Sequence, residues 1–237
     1  MERLDRLLSR LGYGSRRQIV QWVRKGWVTE GDRCIGRASE KVDPSKVFFR
    51  GEPLDHPHGL TIIYHKPPGT ICSRHERGRL IYEDFPERWR HRRPAFSPVG
   101  RLDKDTSGLL IVTDDGSLNH WLTSPRHRIG KRYVVHLARP LRGDEPACLS
   151  SGRLMLKGEK RPCLPAHCRI RGASEMEITV YEGRYHQVRR MFAALGNHVV
   201  ALQRTAIGHL ELGDLAPGCY QEIGVDILYK RISGLTT

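Results

Sequence analysis

The sequence has no apolar stretch of about 18 residues, the run from which a membrane-spanning helix is recognised. Residues 1–6 lack the apolar core of a signal peptide. None of the six cysteines belongs to a Cys-x-x-Cys pair, so a zinc site has little support. These absences predict a cytoplasmic protein with reduced thiols, with no membrane partner and with no metal.

Acidic residues are few beside basic ones. The 237 residues include 26 Asp and Glu against 40 Lys and Arg, which gives a formal charge of +14 and a pI near 9.9. Such a charge predicts a polyanionic partner, nucleic acid first and an acidic membrane surface second. The sequence also has no P-loop and no Gly-x-Gly-x-x-Gly opening a helix after a strand. We therefore expect no cofactor.

Two carboxylates, Asp103 and Asp105, lie in a stretch rich in glycine and serine at residues 100–108. The apolar run at residues 109–112 follows and ends at another turn signal, which is typical of a buried strand. A loop carboxylate on a rigid scaffold is a common catalytic arrangement. The alternative is that both aspartates only shape the turn.

The N-terminal region predicts a small helical module. Leucines recur at helical spacing over residues 3–11, and Ser15 can cap a second helix that stops at Gly26, before a short strand at residues 27–29. Basic residues lie on or at the ends of the second helix: Arg16, Arg17, Arg24 and Lys25. They suit phosphate contacts, and the alternative is an ordinary solvated basic face.

The remainder predicts a larger α+β domain. Proline and glycine at residues 55–59 indicate a linker. The Arg-rich span 74–93 indicates a surface loop anchored by its own aromatic residues, or alternatively a loop that stacks on RNA. Periodicity predicts strands at 60–65, 132–137 and 176–181, helices at 117–123, 144–151 and 188–195, and short strands and turns from 199 to 232.

Three motifs resemble those of the RsuA-type family of pseudouridine synthases. Residues 100–109, Gly-Arg-Leu-Asp followed by Thr-x-Gly-Leu, resemble the catalytic motif, and residues 182–192 match a second motif. The N-terminal helix–turn–helix–strand pattern resembles an S4-type RNA-binding domain. The resemblance implies an S4-like α/β module at residues 1–58, followed by an α+β catalytic domain at residues 59–237 with a mixed, mostly antiparallel sheet and a central cleft.

The resemblance also implies a reaction and its residues. The protein would isomerise one uridine of small-subunit (16S) ribosomal RNA to pseudouridine, without metal or cofactor. The small subunit is favoured because residues 184–194 and 196–200 look closest to that branch of the family. By motif position, Asp103 is the catalytic carboxylate, Tyr133 the active-site tyrosine and Arg189 its basic neighbour. The expected partner is ribosomal RNA, free or in a partly assembled subunit, and a monomer is expected.

The reaction explains why such residues are needed. A carboxylate beside the sugar can act as nucleophile or as base, and the sequence leaves both roles open for Asp103. A carboxylate that stays ionised in a cleft needs a nearby cation, so we expect an ion pair between Asp103 and Arg189. The target base must leave its stack. The resemblance places Arg101 where it would fill the vacated space or grip the extruded nucleotide, and the alternative is a simple phosphate contact. Arg184 and His186 are further RNA-binding candidates.

Two other classes of protein remain as alternatives. Residues 103–108 with Asp114 resemble an EF-hand loop, but the last ligand is Asp instead of Glu and a strand is predicted where a helix should follow. A non-enzymatic ribosomal RNA-binding assembly factor would fit the charge and the S4-like module equally well. A large-subunit RNA synthase of the same family is the third possibility.

Overall fold

The computed structural model describes residues 1–235, which form two compact units. The first unit contains residues 1–61, 82–97 and 113–116, and the second contains residues 62–81, 98–112 and 117 onward. Within the described residues, no helix has both the length and the apolar character needed to cross a membrane. Each of the six cysteines is free.

The first unit joins two helices to short strands. The helices are α1 (Leu4–Arg10) and α2 (Arg16–Arg24). The strands are β1 (Glu2–Arg3), β2 (Val28–Glu30), β3 (Arg33–Cys34), β4 (Lys41–Val42), β5 (Val47–Phe49) and β6 (Glu52–Pro53). The sheet order is β3-β2-β5-β6, all antiparallel, and β1 pairs with β4. The predicted helix pair and the following strand are confirmed.

Local sequence determines where α2 begins. The Ser15 side chain accepts a hydrogen bond from the Gln18 amide, and the Gln18 side chain accepts one from the Ser15 amide. This capping box satisfies two amides that a helix N-terminus leaves free. Ile19 and Val23 then point into a core built on the four leucines of the first helical stretch.

The span 82–97 belongs to the first unit and is anchored by aromatic rings. It contains 3₁₀ turns at Ile81–Asp84 and Glu87–His91. Phe85, Trp89 and Phe96 are buried, with ring centroids 5.4 to 6.2 Å apart. The anchored-loop interpretation is confirmed, and the alternative of aromatic rings free to stack on RNA is wrong because these rings lie in the core.

The predicted linker is fixed to this span by Asp55. Its carboxylate accepts hydrogen bonds from Arg88 at 2.6 Å and from Trp89 Nε1 at 2.7 Å, and it lies 2.9 Å from His56 Nε2. Burial raises the pKa of the Asp55 carboxyl, but these three neighbours outweigh burial and hold the pKa well below its ordinary range. Arg92, almost fully buried, donates to the carbonyls of residues 55 and 56.

The second unit is built on a mixed sheet. The remaining strands are β7 (Thr61–Lys66), β8 (Ser97–Pro98), β9 (Thr106–Thr113), β10 (Lys131–Leu137), β11 (His167–Gly172), β12 (Glu175–Val180), β13 (Val199–Ile207), β14 (Leu210–Glu211) and β15 (Tyr220–Glu222). The sheet order is β11-β12-β10-β13-β9-β7-β15. The β13–β9 pair is parallel, whereas β10 pairs antiparallel with both β12 and β13. The expected α+β fold with a mixed, mostly antiparallel sheet is confirmed.

Helices and an apolar strand complete this unit. The helices are α3 (Gly116–Thr123), α4 (Glu145–Ser150), α5 (Gln187–Ala194) and α6 (Val225–Ser233). Residues 109–112 lie in β9 and are fully buried, as predicted. The EF-hand alternative is wrong, because a strand follows the loop where that motif requires a helix.

The prediction of short strands and turns from 199 to 232 is wrong. Strand β13 has nine residues and pairs with both β10 and β9. Helix α6 follows later, with Leu228 and Ile232 buried. The alternation of β13 was hard to recognise because Arg204 occupies a buried position between Leu202 and Ala206.

Candidate active site

One buried lysine holds the loop that carries Asp103. Lys66, at the end of β7, is fully buried, and its Nζ donates hydrogen bonds to the carbonyls of Pro67, Lys104 and Thr106 at 3.1, 3.1 and 2.8 Å. The Thr106 amide donates to the Asp103 carbonyl at 3.0 Å, which closes the turn. Burial lowers the pKa of Lys66, and the three carbonyl acceptors offset the cost of burying its ammonium.

Gly108 brings a second strand beside this turn. It has φ +107° and pairs in parallel with Arg204 of β13. A Cβ at this position would overlap the carbonyl oxygen of Arg204, so only glycine fits without moving a strand. The glycine of the Thr-x-Gly-Leu motif therefore permits the close approach of β9 and β13.

Asp103 lines a cavity of about 280 Å³ within the second unit, which we call the Asp103 cleft. Tyr133 and Arg204 line it as well, and they are direct partners in the pairing of β10 with β13, so both side chains are on one face of the sheet. Lys131 precedes Tyr133 by two positions on β10 and lines the same cavity. The arrangement places a carboxylate, a phenol and two cations around one space large enough for a small ring.

The partners of Asp103 and Arg189 differ from the predicted ion pair. Asp103 Oδ1 lies 3.3 Å from Nε2 of His186. Arg189 lies 3.6 Å from Asp105 instead, and its Nη1 donates to the Val199 carbonyl at 3.0 Å. The predicted Asp103–Arg189 ion pair is therefore wrong. Because α5 begins just after His186, His186 reaches Asp103 and Arg189 falls opposite the next carboxylate of the loop.

Arg204 is a buried guanidinium of the cleft to which the sequence pattern assigned no role. It is 4 % exposed, and its Nε donates to the Leu109 carbonyl at 2.7 Å. One terminal nitrogen, Nη2, is buried without a hydrogen-bond partner in the structure. The available signal was a charged residue at a position where strand alternation requires a core side chain. Such a residue must find a partner or serve a ligand.

The other predicted RNA-binding residues near the cleft differ in how free their side chains are to contact RNA. Arg101 is exposed and lines both the Asp103 cleft and a neighbouring cavity of about 530 Å³. Arg184 is engaged by Glu182 at 3.0 Å and by two backbone carbonyls at 2.7 and 2.6 Å, which gives it a structural role. His186 stacks on Tyr185 with ring centroids 3.9 Å apart, and Tyr185 is 71 % exposed.

The four basic residues predicted on or at the ends of the second helix are all exposed. They are Arg16, Arg17, Arg24 and Lys25. Lys25 lies 4.7 Å from the ring centroid of Trp27, and the Arg50 guanidinium lies 3.9 Å from the same centroid. The ring therefore holds two cations close together through cation–π contacts. The structure brings this group together on the first unit, whereas the residues of the Asp103 cleft all belong to the second.

The described part of the chain contains no group of side chains arranged to bind a metal ion. Among residues 1–235, no group of three or more His, Cys, Asp or Glu side chains is arranged to hold an ion.

The fold joins a basic N-terminal module to a mixed-sheet unit whose cleft is lined by a carboxylate, a phenol and basic side chains. The chain belongs to the RNA pseudouridylate synthase family, whose sequence profile matches residues 60–194. An S4 domain profile matches residues 2–48. Membership in a family of enzymes excludes the non-enzymatic assembly factor as the primary interpretation.

Individual relatives are similar in sequence to this chain over nearly its whole length. The chain is 37 % identical to the ribosomal small subunit pseudouridine synthase A of Escherichia coli K12, over 93 % of this chain and 96 % of that protein. It is 36 % identical to an uncharacterized RNA pseudouridine synthase of Bacillus subtilis, over 96 % and 97 % of the two chains. A solved structure described as a pseudouridylate synthase superposes with a TM-score of 0.67 at 33 % identity and covers 97 % of this chain and 99 % of that one.

Proposed function

We propose that this enzyme isomerises one uridine of small-subunit (16S) ribosomal RNA to pseudouridine in the Asp103 cleft. The observation that carries the proposal is the convergence of Asp103, Tyr133 and Arg204 on one cavity in a chain of this family. The small subunit is supported by relatives named for that subunit, which match along almost their whole length. A large-subunit substrate is the alternative that the experiment below separates.

The proposal gives each residue of the cleft a task. Asp103 attacks the sugar carbon or takes a sugar proton, and both routes need its charge. Arg204, rather than Arg189, supplies the buried cation beside it. Tyr133 stacks on the uracil ring or offers its hydroxyl for proton transfer. Arg101 occupies the space that the extruded nucleotide leaves, or grips its phosphate. Arg189 supports the loop through Asp105.

RNA docking is assigned to the N-terminal module. We propose that residues 1–58 act as the RNA-binding domain and residues 59–237 as the catalytic domain. The exposed side chains of Arg16, Arg17, Arg24 and Lys25 contact phosphates. We also propose a monomer acting in the cytoplasm, on free or partly assembled ribosomal RNA.

The central test is Asp103→Asn, which keeps shape but removes the charge. Release of tritium from uracil C5 of labelled small-subunit RNA should fall to background, because an amide neither attacks nor accepts a proton effectively. RNA affinity should hold. Asp214→Asn is the matched control: the same change at an exposed aspartate of the second unit, which lines neither cavity, should leave tritium release near the wild-type rate.

The outcomes separate the parts of the proposal. An Asp103→Asn protein that releases tritium at the wild-type rate removes Asp103 from the mechanism. Release from large-subunit RNA, but not from small-subunit RNA or from its assembly intermediates, would leave a synthase with a different substrate.

A further inference from the structure

Lys131 is a cation of the Asp103 cleft to which the sequence assigned no role. It begins β10, two residues before Tyr133, so the two side chains project from the same face of the strand. Tyr133 pairs across the sheet with Arg204, and all three side chains line the cavity that Asp103 also lines. A primary amine therefore borders the space in which the proposed reaction takes place.

The amine of Lys131 has no partner in the described residues. Between residues 1 and 235, no acceptor takes a hydrogen bond from its Nζ and no carboxylate pairs with it. Lys66 makes the contrast clear, since its buried Nζ donates to three carbonyls. A structural lysine with its head group inside a protein is paired in this way. Lys131 instead presents a half-buried, unpaired amine to a cavity.

The surroundings of Lys131 favour its neutral form. Burial, followed by the positive charge of Arg204, lowers the pKa of Lys131 to about 8. At pH 7 roughly one molecule in ten then carries a free amine, compared with fewer than one in a thousand for an ordinary lysine. A lysine with this environment in a cleft is suited to accept a proton.

The isomerisation requires a proton acceptor that the cleft must supply. Breaking the bond from N1 to C1′ and forming the bond from C5 to C1′ leaves C5 with both the sugar and its original hydrogen. The same attack leaves a double bond between C6 and N1. The C5–H bond must then break and its electron pair must form the C5=C6 double bond, while the C6=N1 pair moves onto N1, which gains a proton. The atoms and electrons balance with one base and one proton from water, and no oxidant is involved.

We propose that the amine of Lys131 removes the C5 proton after the new C–C bond has formed. The lone pair of Nζ forms the new N–H bond, and the ammonium later returns its proton to solvent. This inference rests on the proposed function, since it takes the Asp103 cleft as the active site. It leaves the first half of the reaction to Asp103 and assigns the second half to a different side chain.

The test uses the full-length enzyme with small-subunit RNA transcribed from uridine deuterated or protonated at C5. Lys131→Met should lower the single-turnover rate of pseudouridine formation by about 100-fold or more, with little change in RNA affinity. It should also produce a larger deuterium isotope effect than the wild type, because removal of the C5 proton becomes the slow step. A lysine with a purely structural role would not change the isotope effect.

Lys131→Arg distinguishes a base from a simple charge. A guanidinium stays protonated near neutral pH, so Arg should fail to restore the rate if Lys131 accepts a proton. Full activity of Lys131→Arg would overturn the proposal in favour of a phosphate contact. Wild-type rates and isotope effects in Lys131→Met would also overturn it.

A parallel assay of Asp103→Asn distinguishes failure of the inference about Lys131 from failure of the proposed function. If Asp103→Asn is inactive while both Lys131 variants behave like the wild type, only the inference about Lys131 fails. If Asp103→Asn is active, the assignment of the cleft itself fails. Circular dichroism of each variant confirms that the sheet is intact.

Discussion

Single residues in the catalytic half fall into two groups according to how far away their partners are. Asp103 and Tyr133 were found from local motifs. Lys66, Lys131 and Arg204 were not found in this way, because their importance depends on residues that are distant in the sequence. Lys66 binds carbonyls 38 and 40 positions away, and Arg204 donates to a carbonyl 95 positions away. A one-dimensional pattern shows a charge in a strand but not the acceptor that it meets.

Gly108 provides a stability test at this scale. Gly108→Ala should lower the free energy of unfolding by about 3 kcal/mol, because the methyl group meets the backbone of Arg204 and the positive φ is strained. Gly116→Ala is the control, since a Cβ there meets nothing within 4 Å and should change stability by roughly 0.5 kcal/mol or less. Urea unfolding measures both. Equal stability of the two variants would mean that β9 and β13 separate easily.

Whole elements were predictable where their signals are local. Helix α2 carries its own cap in Ser15 and Gln18, and its apolar positions repeat regularly. Helix α6 was not predicted, although Val225, Leu228 and Ile232 lie at helical spacing. The prediction of short strands and turns for residues 199–232 included the residues of this helix. Strand β13 was predicted as short pieces because the buried Arg204 interrupts its apolar face. Functional sites are where such departures from a local rule are expected.

The exposed face of α2 can be tested by charge reversal. The double change Arg16→Glu and Arg17→Glu should weaken RNA binding and reduce the slope of log affinity against log salt by roughly two, one for each lost phosphate contact. Arg169→Glu with Arg171→Glu makes the same change in net charge on the exposed strand β11. Equal losses in the two double variants, measured by filter binding at several salt concentrations, would show that only net charge matters.

At the scale of the whole chain, compact units do not follow continuous stretches of sequence. Residues 82–97 come from the catalytic half in sequence but belong to the first unit. Asp55 fixes them there through Arg88 and Trp89, which are 33 and 34 positions away. The predicted S4-like module is confirmed by the S4 domain profile, which matches residues 2–48. Its completion by a distant loop could not be predicted, because no local periodicity records a hydrogen bond over that separation.

Asp55→Ala should loosen this unit in the full-length protein. We expect a loss of about 3 kcal/mol at pH 7 and faster tryptic cleavage after Arg88, because the carboxylate that anchors Arg88 is gone. Since the pKa of Asp55 is depressed, its contribution is present at pH 7 and falls as pH drops below about 4, so wild type and variant should converge in acid. Asp32→Ala, at an exposed turn, is the control. Unchanged proteolysis would show that aromatic packing alone holds the loop.

The parallel pairing of β9 with β13 also has a consequence for how the enzyme is made. Gly108 and Arg204 are partners across 96 positions (204 − 108), and a contact of such long range forms late, since the intervening chain must first be closed into a loop. A ribosome must translate residue 204 before the cleft has its buried guanidinium. The two helices of the first unit, which end at residue 24, leave the ribosome long before that point. The module proposed to bind RNA can therefore begin to fold before the cleft proposed to modify RNA is complete.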